Sequence, residues 1–191
     1  MSLRNLGAVY SETENYDKAI EFHKKALEIK KQSLGPNHVI VAASLNSLGN
    51  VYCDTGNYDK AIELHKKAME IRQQSLGPNH VDVAMSLNNL GIVYYETGNY
   101  DKAVEVHEQA LEIRQQSLGP NHVDVAAFLN NIGVVIEKTG NHDKAMEVHE
   151  KALEIRQQSL SPNHVDVAAS LNNIGVVIEK TENHDKAMED H

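Results

Sequence analysis

A glycine recurs every 42 residues along this chain of 191 residues, at Gly7, Gly49, Gly91, Gly133 and Gly175. One alanine and one proline of each copy keep the same spacing. A fixed period of this length indicates a stack of supersecondary units, in which each unit contacts only its neighbours. Every candidate acid or base also occurs in near-identical copies, which is not how a single active site is built. The repeat therefore predicts a binding surface and no enzymatic activity.

The repeats run from one end of the chain to the other. We expect one domain over residues 1–191, containing about 4.5 repeats of 42 residues. The first and last repeats are truncated, and neither end has the polar capping helix that such arrays use for solubility. Because bare ends would expose apolar stripes, the sequence also predicts end-to-end self-association.

One copy of the repeat has the pattern of a helix hairpin. Apolar residues over 81–97 follow the period of a helix and not the alternation of a strand. Gly98 suits the left-handed position that ends a helix, and Asn99 suits the N-cap of the next helix. That second helix is predicted over residues 100–118, before a Gly-Pro pair that ends it. The chain is therefore predicted to be all-α and built from antiparallel helix hairpins.

Charge and cysteine content narrow the class of partner. The net charge of −9 argues against nucleic acid and against an anionic membrane surface. Cys53 is the only cysteine, so internal disulfides are excluded and a reducing, cytoplasmic compartment fits. No apolar run approaches the ~18 residues that a membrane span needs. We expect protein or peptide partners.

Four histidines share one position of the second helix, His23, His65, His107 and His149. Neighbouring copies in stacked hairpins would lie about one helix-packing distance apart, ~10 Å. That separation is too large for two of them to share a metal, since zinc–nitrogen bonds measure about 2 Å. We expect these histidines to be packing residues, and we expect no metal and no cofactor.

The hairpin carries a Leu-Gly-x-x-Tyr motif followed by two spaced alanines, here Leu48, Gly49, Tyr52, Ala61 and Ala68. This pattern resembles the tetratricopeptide repeat, whose usual period is about 34 residues. The longer period and the Ser-Leu-Gly-Pro-Asn-His linker are similar to the repeats of kinesin light chains and of nephrocystin-like proteins. Kinesin light chains usually carry proline after the linker histidine, where this chain has valine, and their heptad-rich segment is absent.

The resemblance implies a right-handed superhelix, an α-solenoid, whose first helices line a concave groove. It implies a non-enzymatic scaffold or adaptor that binds a short peptide segment in that groove. Peptides with an aromatic residue flanked by acidic residues are the first ligands that it suggests. Two alternatives are a structural array that associates with itself and a regulatory repeat region of a larger signalling or NTPase protein.

Helix periodicity places a ladder of asparagines beside an aliphatic stripe on the groove side of the first helices. Asparagine amides can pair with the backbone of an extended peptide whatever its side chains are. In the resembled family, asparagines of the Leu-Asn-Asn-Leu motif and arginines of the Glu-Ile-Arg motif contact peptide cargo. The predicted groove residues are Asn46, Asn50, Met85, Asn88, Asn89, Ile92, Asn130, Asn131, Val134, Asn172, Asn173, Val176, Arg72, Arg114 and Arg156. Alternatively, the asparagines bridge adjacent helices and the arginines form surface salt bridges.

Three residues interrupt the repeat near its end. Phe128 replaces a serine of the other copies, either as an exposed anchor or as a local packing variant. Glu182 replaces a glycine at a helix end, at a cost of about 1 kcal/mol if the left-handed conformation is kept. Asp190 replaces an aliphatic residue. We therefore expect the C-terminal hairpin to fray first.

Overall fold

The computed structural model describes residues 15–189, with side chains through residue 182, and all regular structure in that part of the chain is helical. The helices are α1 (Tyr16–Leu34), α2 (Val39–Asp54), α3 (Tyr58–Leu76), α4 (Val81–Glu96), α5 (Tyr100–Leu118), α6 (Val123–Lys138), α7 (His142–Ser159) and α8 (Val165–Glu189). The predicted all-α class is confirmed. Across these helices, no stretch combines the length and the apolar character of a membrane-spanning segment.

The chain divides into two compact units, Met1–Thr97 and Gly98–His191. In the first unit α1 packs on α2, α2 on α3 and α3 on α4, and α2 also contacts α4. In the second unit α5 packs on α6, α6 on α7 and α7 on α8, and α6 also contacts α8. The second unit therefore repeats the arrangement of the first, two repeat lengths further along the chain. The sequence predicts that the two units form a single array, and this stays a prediction.

Small residues allow the helices of each unit to approach closely. Ala61 and Ala68 of α3 are fully buried against apolar residues of α2. Gly49 of α2 faces the imidazole of His65, and a Cβ at position 49 would lie 2.7 Å from the His65 Cε1 atom. Gly133 meets His149 in the same way, with 2.5 Å to Cε1. The recurring histidines are thus buried packing residues, as predicted, and the recurring glycine makes room for them.

Helix ends in the structure follow the predicted capping residues. Gly140, between α6 and α7, has a φ of 80°, a conformation that an L side chain rarely adopts. Asn141 then caps α7, because its Oδ1 accepts from the backbone N–H of Lys144 at 3.2 Å. His80 caps α4 from the other linker, with its Nδ1 accepting from the backbone N–H of Asp82 at 3.1 Å. A histidine side chain therefore serves here as a helix N-cap.

The last predicted hairpin turn does not form. Glu182 lies inside α8, which continues without interruption to Glu189. The left-handed conformation is not kept at this position, so the cost that it would carry does not arise; a positive φ would strain a glutamate, whereas the helical conformation does not. Two nearly identical segments thus differ in backbone course at the point where glycine at 140 becomes glutamate at 182. Asp190 and the fraying expected from it lie outside the described residues.

A pair of alanine substitutions tests the glycine–histidine contact. Gly49→Ala adds a Cβ against His65 and should destabilise the chain by about 1–2 kcal/mol, since overpacking outweighs the gain in helix propensity. Gly175→Ala is the matched control, because no atom lies within 4 Å of its added Cβ. It should stabilise the chain by up to about 1 kcal/mol. Urea unfolding measures both, and equal effects at the two sites would contradict the contact.

Candidate functional site

Four buried side chains form a polar cluster between α2, α3 and α4 in the first unit. His65 donates from Nδ1 to Asn46 Oδ1 at 2.9 Å, and Asn46 Nδ2 donates to Ser86 Oγ at 3.4 Å. Arg72 donates to the same Ser86 Oγ at 2.8 Å and to the backbone carbonyl of Asp82 at 3.0 Å. Each of the four side chains is at most 5% exposed. The cluster joins three helices through groups that water does not reach.

The second unit repeats this cluster with Asn130, His149, Arg156 and Ser170. The Asn130 amide lies 3.2 Å from His149 Nδ1 and 3.3 Å from Ser170 Oγ, and Arg156 donates to Ser170 Oγ at 2.8 Å. The amide of Asn130 satisfies more groups when its oxygen and nitrogen are exchanged. Its oxygen then accepts from Arg156 and its nitrogen donates to His149 Nδ1. The same four kinds of side chain thus bridge the corresponding helices α6, α7 and α8.

Four of the predicted groove residues therefore have partners inside the protein. Asn46, Asn130, Arg72 and Arg156 are between 5% and 7% exposed. The two asparagine amides follow the helix-bridging alternative. The two buried arginines donate to a serine and to a backbone carbonyl, and do not form the surface salt bridges that were their alternative. These four side chains are therefore occupied within the protein.

The remaining copies of the cluster are modified. Lys30 takes the place of the arginine at the start of the chain and donates to Ser44 Oγ at 2.6 Å. In the second unit Phe128 removes the serine, and the Arg114 guanidinium lies over its ring at 5.5 Å from the centroid. Arg114 also reaches the carboxylate of Asp124 at 3.4 Å. Phe128 is buried, which makes it the packing variant and not an exposed anchor.

The buried histidines are held in their neutral form. Burial lowers the pKa of His65 to about 4, with a smaller contribution from the Arg72 charge. Burial likewise lowers the pKa of His107 to about 4. Burial also lowers the pKa of His149, although the carboxylate of Glu137 opposes this shift. These imidazoles are uncharged at neutral pH and serve as packing and hydrogen-bonding groups.

An open cleft of about 270 Å³ lies between α2 and α4 of the first unit. Its lining residues are Asn50, Cys53 and Asp54 of α2, Asn89, Ile92 and Val93 of α4, and the buried His65 of α3. The cleft follows the two helices that the sequence assigns to the groove. Several of the predicted groove residues surround this common space.

Three predicted residues meet in this cleft, namely Asn50, Asn89 and Ile92. Ile92 is 42% exposed, and Met85, two turns earlier on α4, is 43% exposed. Cys53 and Asp54 were missed as site residues by the sequence analysis. A usable signal existed, because these two positions change chemical type between copies, from Cys53 and Asp54 to Glu137 and Lys138.

The other predicted residues lie on α4, α6 and α8 outside the cleft. Asn172 is exposed, and the partly buried ones are Asn88, Asn131, Val134, Asn173 and Val176. Asn88 and Asn131 have interaction partners within the protein. These residues are therefore spread along the first helices of the repeats.

The cleft is acidic on one side. Burial raises the pKa of the Cys53 thiol, and the carboxylates of Asp54 and Glu96 raise it further. Burial also raises the pKa of Asp54. In the second unit the position of Cys53 holds Glu137, which is buried and forms an ion pair with Lys180. The described residues contain no group of three or more His, Cys, Asp or Glu side chains able to hold a metal ion.

The family model for the tetratricopeptide repeat matches residues 1–73, 40–116, 82–147 and 124–190. The chain belongs to the tetratricopeptide repeat (TPR) family. A TPR fold is that of a scaffold for protein–protein interaction. Members of the family are generally non-enzymatic, and they bind protein partners. A comparison with curated proteins found no match to this TPR chain.

Solved structures place this TPR protein near the kinesin-light-chain type. BtubC (BKLC) from P. vanneervenii matches 98% of this chain and 74% of its own, with a TM-score of 0.83 and 25% identity. The nearly identical TPR-like repeats of a kinesin-light-chain-type protein from Podosopora anserina match 98% of this chain and 89% of their own, with a TM-score of 0.83 and 23% identity. RapI in its apo form matches 82% of this chain and 55% of its own, with a TM-score of 0.70 and 24% identity. The expected 42-residue, kinesin-light-chain-like repeat type is confirmed.

The lowered histidine pKa values predict a loss of stability in acid. A histidine whose folded pKa lies below its unfolded value of about 6.5 stabilises the fold fully above that pH. The contribution disappears as pH falls towards the folded pKa of about 4. Between about pH 7 and about pH 5, His65 alone should account for about 2 kcal/mol of the loss.

Urea unfolding of the wild-type chain and of His65→Phe at these two pH values measures this contribution. The phenylalanine variant should show a shallower pH dependence, because its ring fills the site without titrating. An unchanged pH dependence in the variant would show that His65 is not the group responsible.

Proposed function

We propose that this TPR protein is an adaptor that binds a short, extended peptide segment in the cleft between α2 and α4. The observation that carries the proposal is the convergence of Asn50, Asn89 and Ile92 on one open space. Such a site joins hydrogen-bonding groups to an apolar anchor point, which is the usual composition of a small binding site.

The amides of Asn50 and Asn89 supply contacts that do not depend on the sequence of the bound peptide. Each asparagine offers a carbonyl oxygen and an amide N–H₂ group, so it can accept from one peptide N–H and donate to one peptide C=O. Asn50 is exposed and Asn89 is partly buried, so both amides reach the cleft from fixed helices. Since backbone groups are common to all peptides, these contacts would set position and direction but not sequence.

The apolar contact supplies the rest of the affinity. Ile92 and Met85 lie on the same side of α4 and together offer an aliphatic surface beside the cleft. Burying one exposed aliphatic side chain contributes about 1.5–3 kcal/mol. Val134 and Val176 occupy the position of Ile92 in later copies, and Asn131, Asn172 and Asn173 continue the polar series. The proposal extends to these residues as further groove positions, in a protein that acts in the cytoplasm.

A second candidate function is self-association through α8. On this helix Val165 is 74% exposed, Leu171 51% and Ile178 45%. The counterparts of Leu171 and Ile178 on α6 are Leu129 and Ile136, which are at most 5% exposed. An apolar stripe of this kind favours association with a matching surface. A molecular mass that rises with concentration in light scattering, and that Leu171→Asp abolishes, would support this candidate.

Fluorescence titration tests peptide binding directly. The chain has no tryptophan, so the signal of a tryptophan-bearing peptide belongs entirely to the ligand. The double variant Asn50→Ala/Asn89→Ala should weaken saturable binding by roughly tenfold or more, since it removes two amides that hydrogen-bond the peptide. Gln74→Ala, which removes an exposed amide of α3 outside the cleft, is the matched control and should bind like the wild type.

One result of this titration would contradict the proposal. If both variants bind a panel of peptides with wild-type affinity, the ligand does not occupy this cleft. Circular dichroism of each variant establishes that its helices are intact before the titration is interpreted.

A further inference from the structure

The two units carry opposite charges at the same pair of positions. In the first unit these positions hold Asp54 at the end of α2 and Glu96 at the end of α4. Two repeat lengths further on they hold Lys138 and Lys180. This difference changes the sign of the charge at the rim of the cleft.

Among the residues whose side chains are described, the acidic pair of the first unit has no ion-pair partner. No lysine or arginine of this described part lines the cleft. The nearby Lys24 and Lys60 lie over the ring of Tyr52, at 5.8 and 5.2 Å from its centroid, and not in the cleft lining.

The other charged groups near the cleft do not neutralise these carboxylates. His65 is buried and uncharged at neutral pH. Arg72 is held by Ser86 and by the carbonyl of Asp82, two helical turns along α3 from His65. Asp54 and Glu96 therefore supply negative charge at the Cys53 side of the cleft, where both carboxylates act on the Cys53 sulfur.

The second unit has an ion pair at the corresponding junction, between the positions that Cys53 and Glu96 occupy in the first unit. There Lys180 pairs with Glu137, and the Glu137 side chain is only 8% exposed. A carboxylate and a lysine at this junction thus pair in a partly desolvated setting, where charge-assisted hydrogen bonds are strong. In the first unit no lysine or arginine is among the described residues that line the cleft.

We infer that the cleft of the first unit selects a basic peptide segment, in which a lysine or arginine sits beside an aliphatic residue. The cationic side chain pairs with Asp54 and Glu96 while the aliphatic neighbour packs on Ile92. This inference rests on the proposed function and names the chemistry of its ligand. It reverses the acidic-ligand expectation that the resemblance to kinesin light chains suggests.

Cys53 provides a readout that belongs to this cleft alone. It is the only cysteine of the chain and it lines the cleft, so a bound peptide should slow its alkylation by a maleimide. The rate with peptide is compared with the rate without peptide in each variant, which removes any effect of the variant on the thiol itself.

The test uses three tryptophan-bearing peptides that share one aliphatic scaffold and carry arginine, glutamine or glutamate at two flanking positions. The arginine peptide should bind the wild-type chain at least about tenfold more tightly than the glutamate peptide, and added salt should reduce this difference. It should also protect Cys53 most strongly.

Charge reversal in the protein completes the test. Asp54→Lys/Glu96→Lys copies the residues found at 138 and 180 and should abolish the preference for the arginine peptide. Glu63→Lys/Glu108→Lys makes the same change in net charge on exposed faces outside the cleft and should leave the preference intact. The neutral variant Asp54→Asn/Glu96→Gln should fall between the two, and it serves if the lysine variant does not fold.

The possible results separate the two proposals. Equal binding of all three peptides, with equal protection of Cys53, overturns the basic preference and leaves peptide binding in the cleft standing. Tighter binding of the glutamate peptide also overturns it. Failure of every peptide to bind or to protect Cys53 overturns both the inference and the proposed function.

Discussion

The contact between a glycine backbone and a buried imidazole determines how closely the helices of each unit approach. Where His65 meets Gly49, no room remains for a side chain, so α2 and α3 come together at the distance that the ring allows. The same ring offers Nδ1 to Asn46, which in turn reaches Ser86 on α4. One residue type thus sets the packing of a hairpin and begins the polar bridge to the next helix.

The cleft is a consequence of this arrangement. The bridge holds α2 and α4 in a fixed relation near their middle, and the space between their C-terminal halves remains open above His65. Residues that complete the bridge are identical or nearly so in the two units, whereas residues at the rim change from Asp54 and Glu96 to Lys138 and Lys180. The two units therefore share the packing between their helices but differ in the side chains at the rim of the cleft. In this way one architecture can present different binding sites.

Much of the fold could be predicted from the sequence, because glycine, asparagine and the helix period act locally. The helix ends near Gly98 and Asn99 depend on single residues and their immediate neighbours. The burial of Asn46 and Asn130 could not be predicted in the same way, since helix periodicity gives the direction of a side chain but not the atoms that meet it. Glu182 could be predicted in part. The sequence indicates that a glutamate is unfavourable in a left-handed turn, but it does not show whether the chain keeps that turn or continues as α8.

We propose that a basic peptide segment occupies the cleft between α2 and α4. Backbone amide shifts of the ¹⁵N-labelled chain, recorded during titration with the arginine peptide, test this occupancy residue by residue. Saturable shift changes should concentrate at residues 50–54 and 89–96. Changes confined to α8, or spread evenly over the acidic surface, would contradict it.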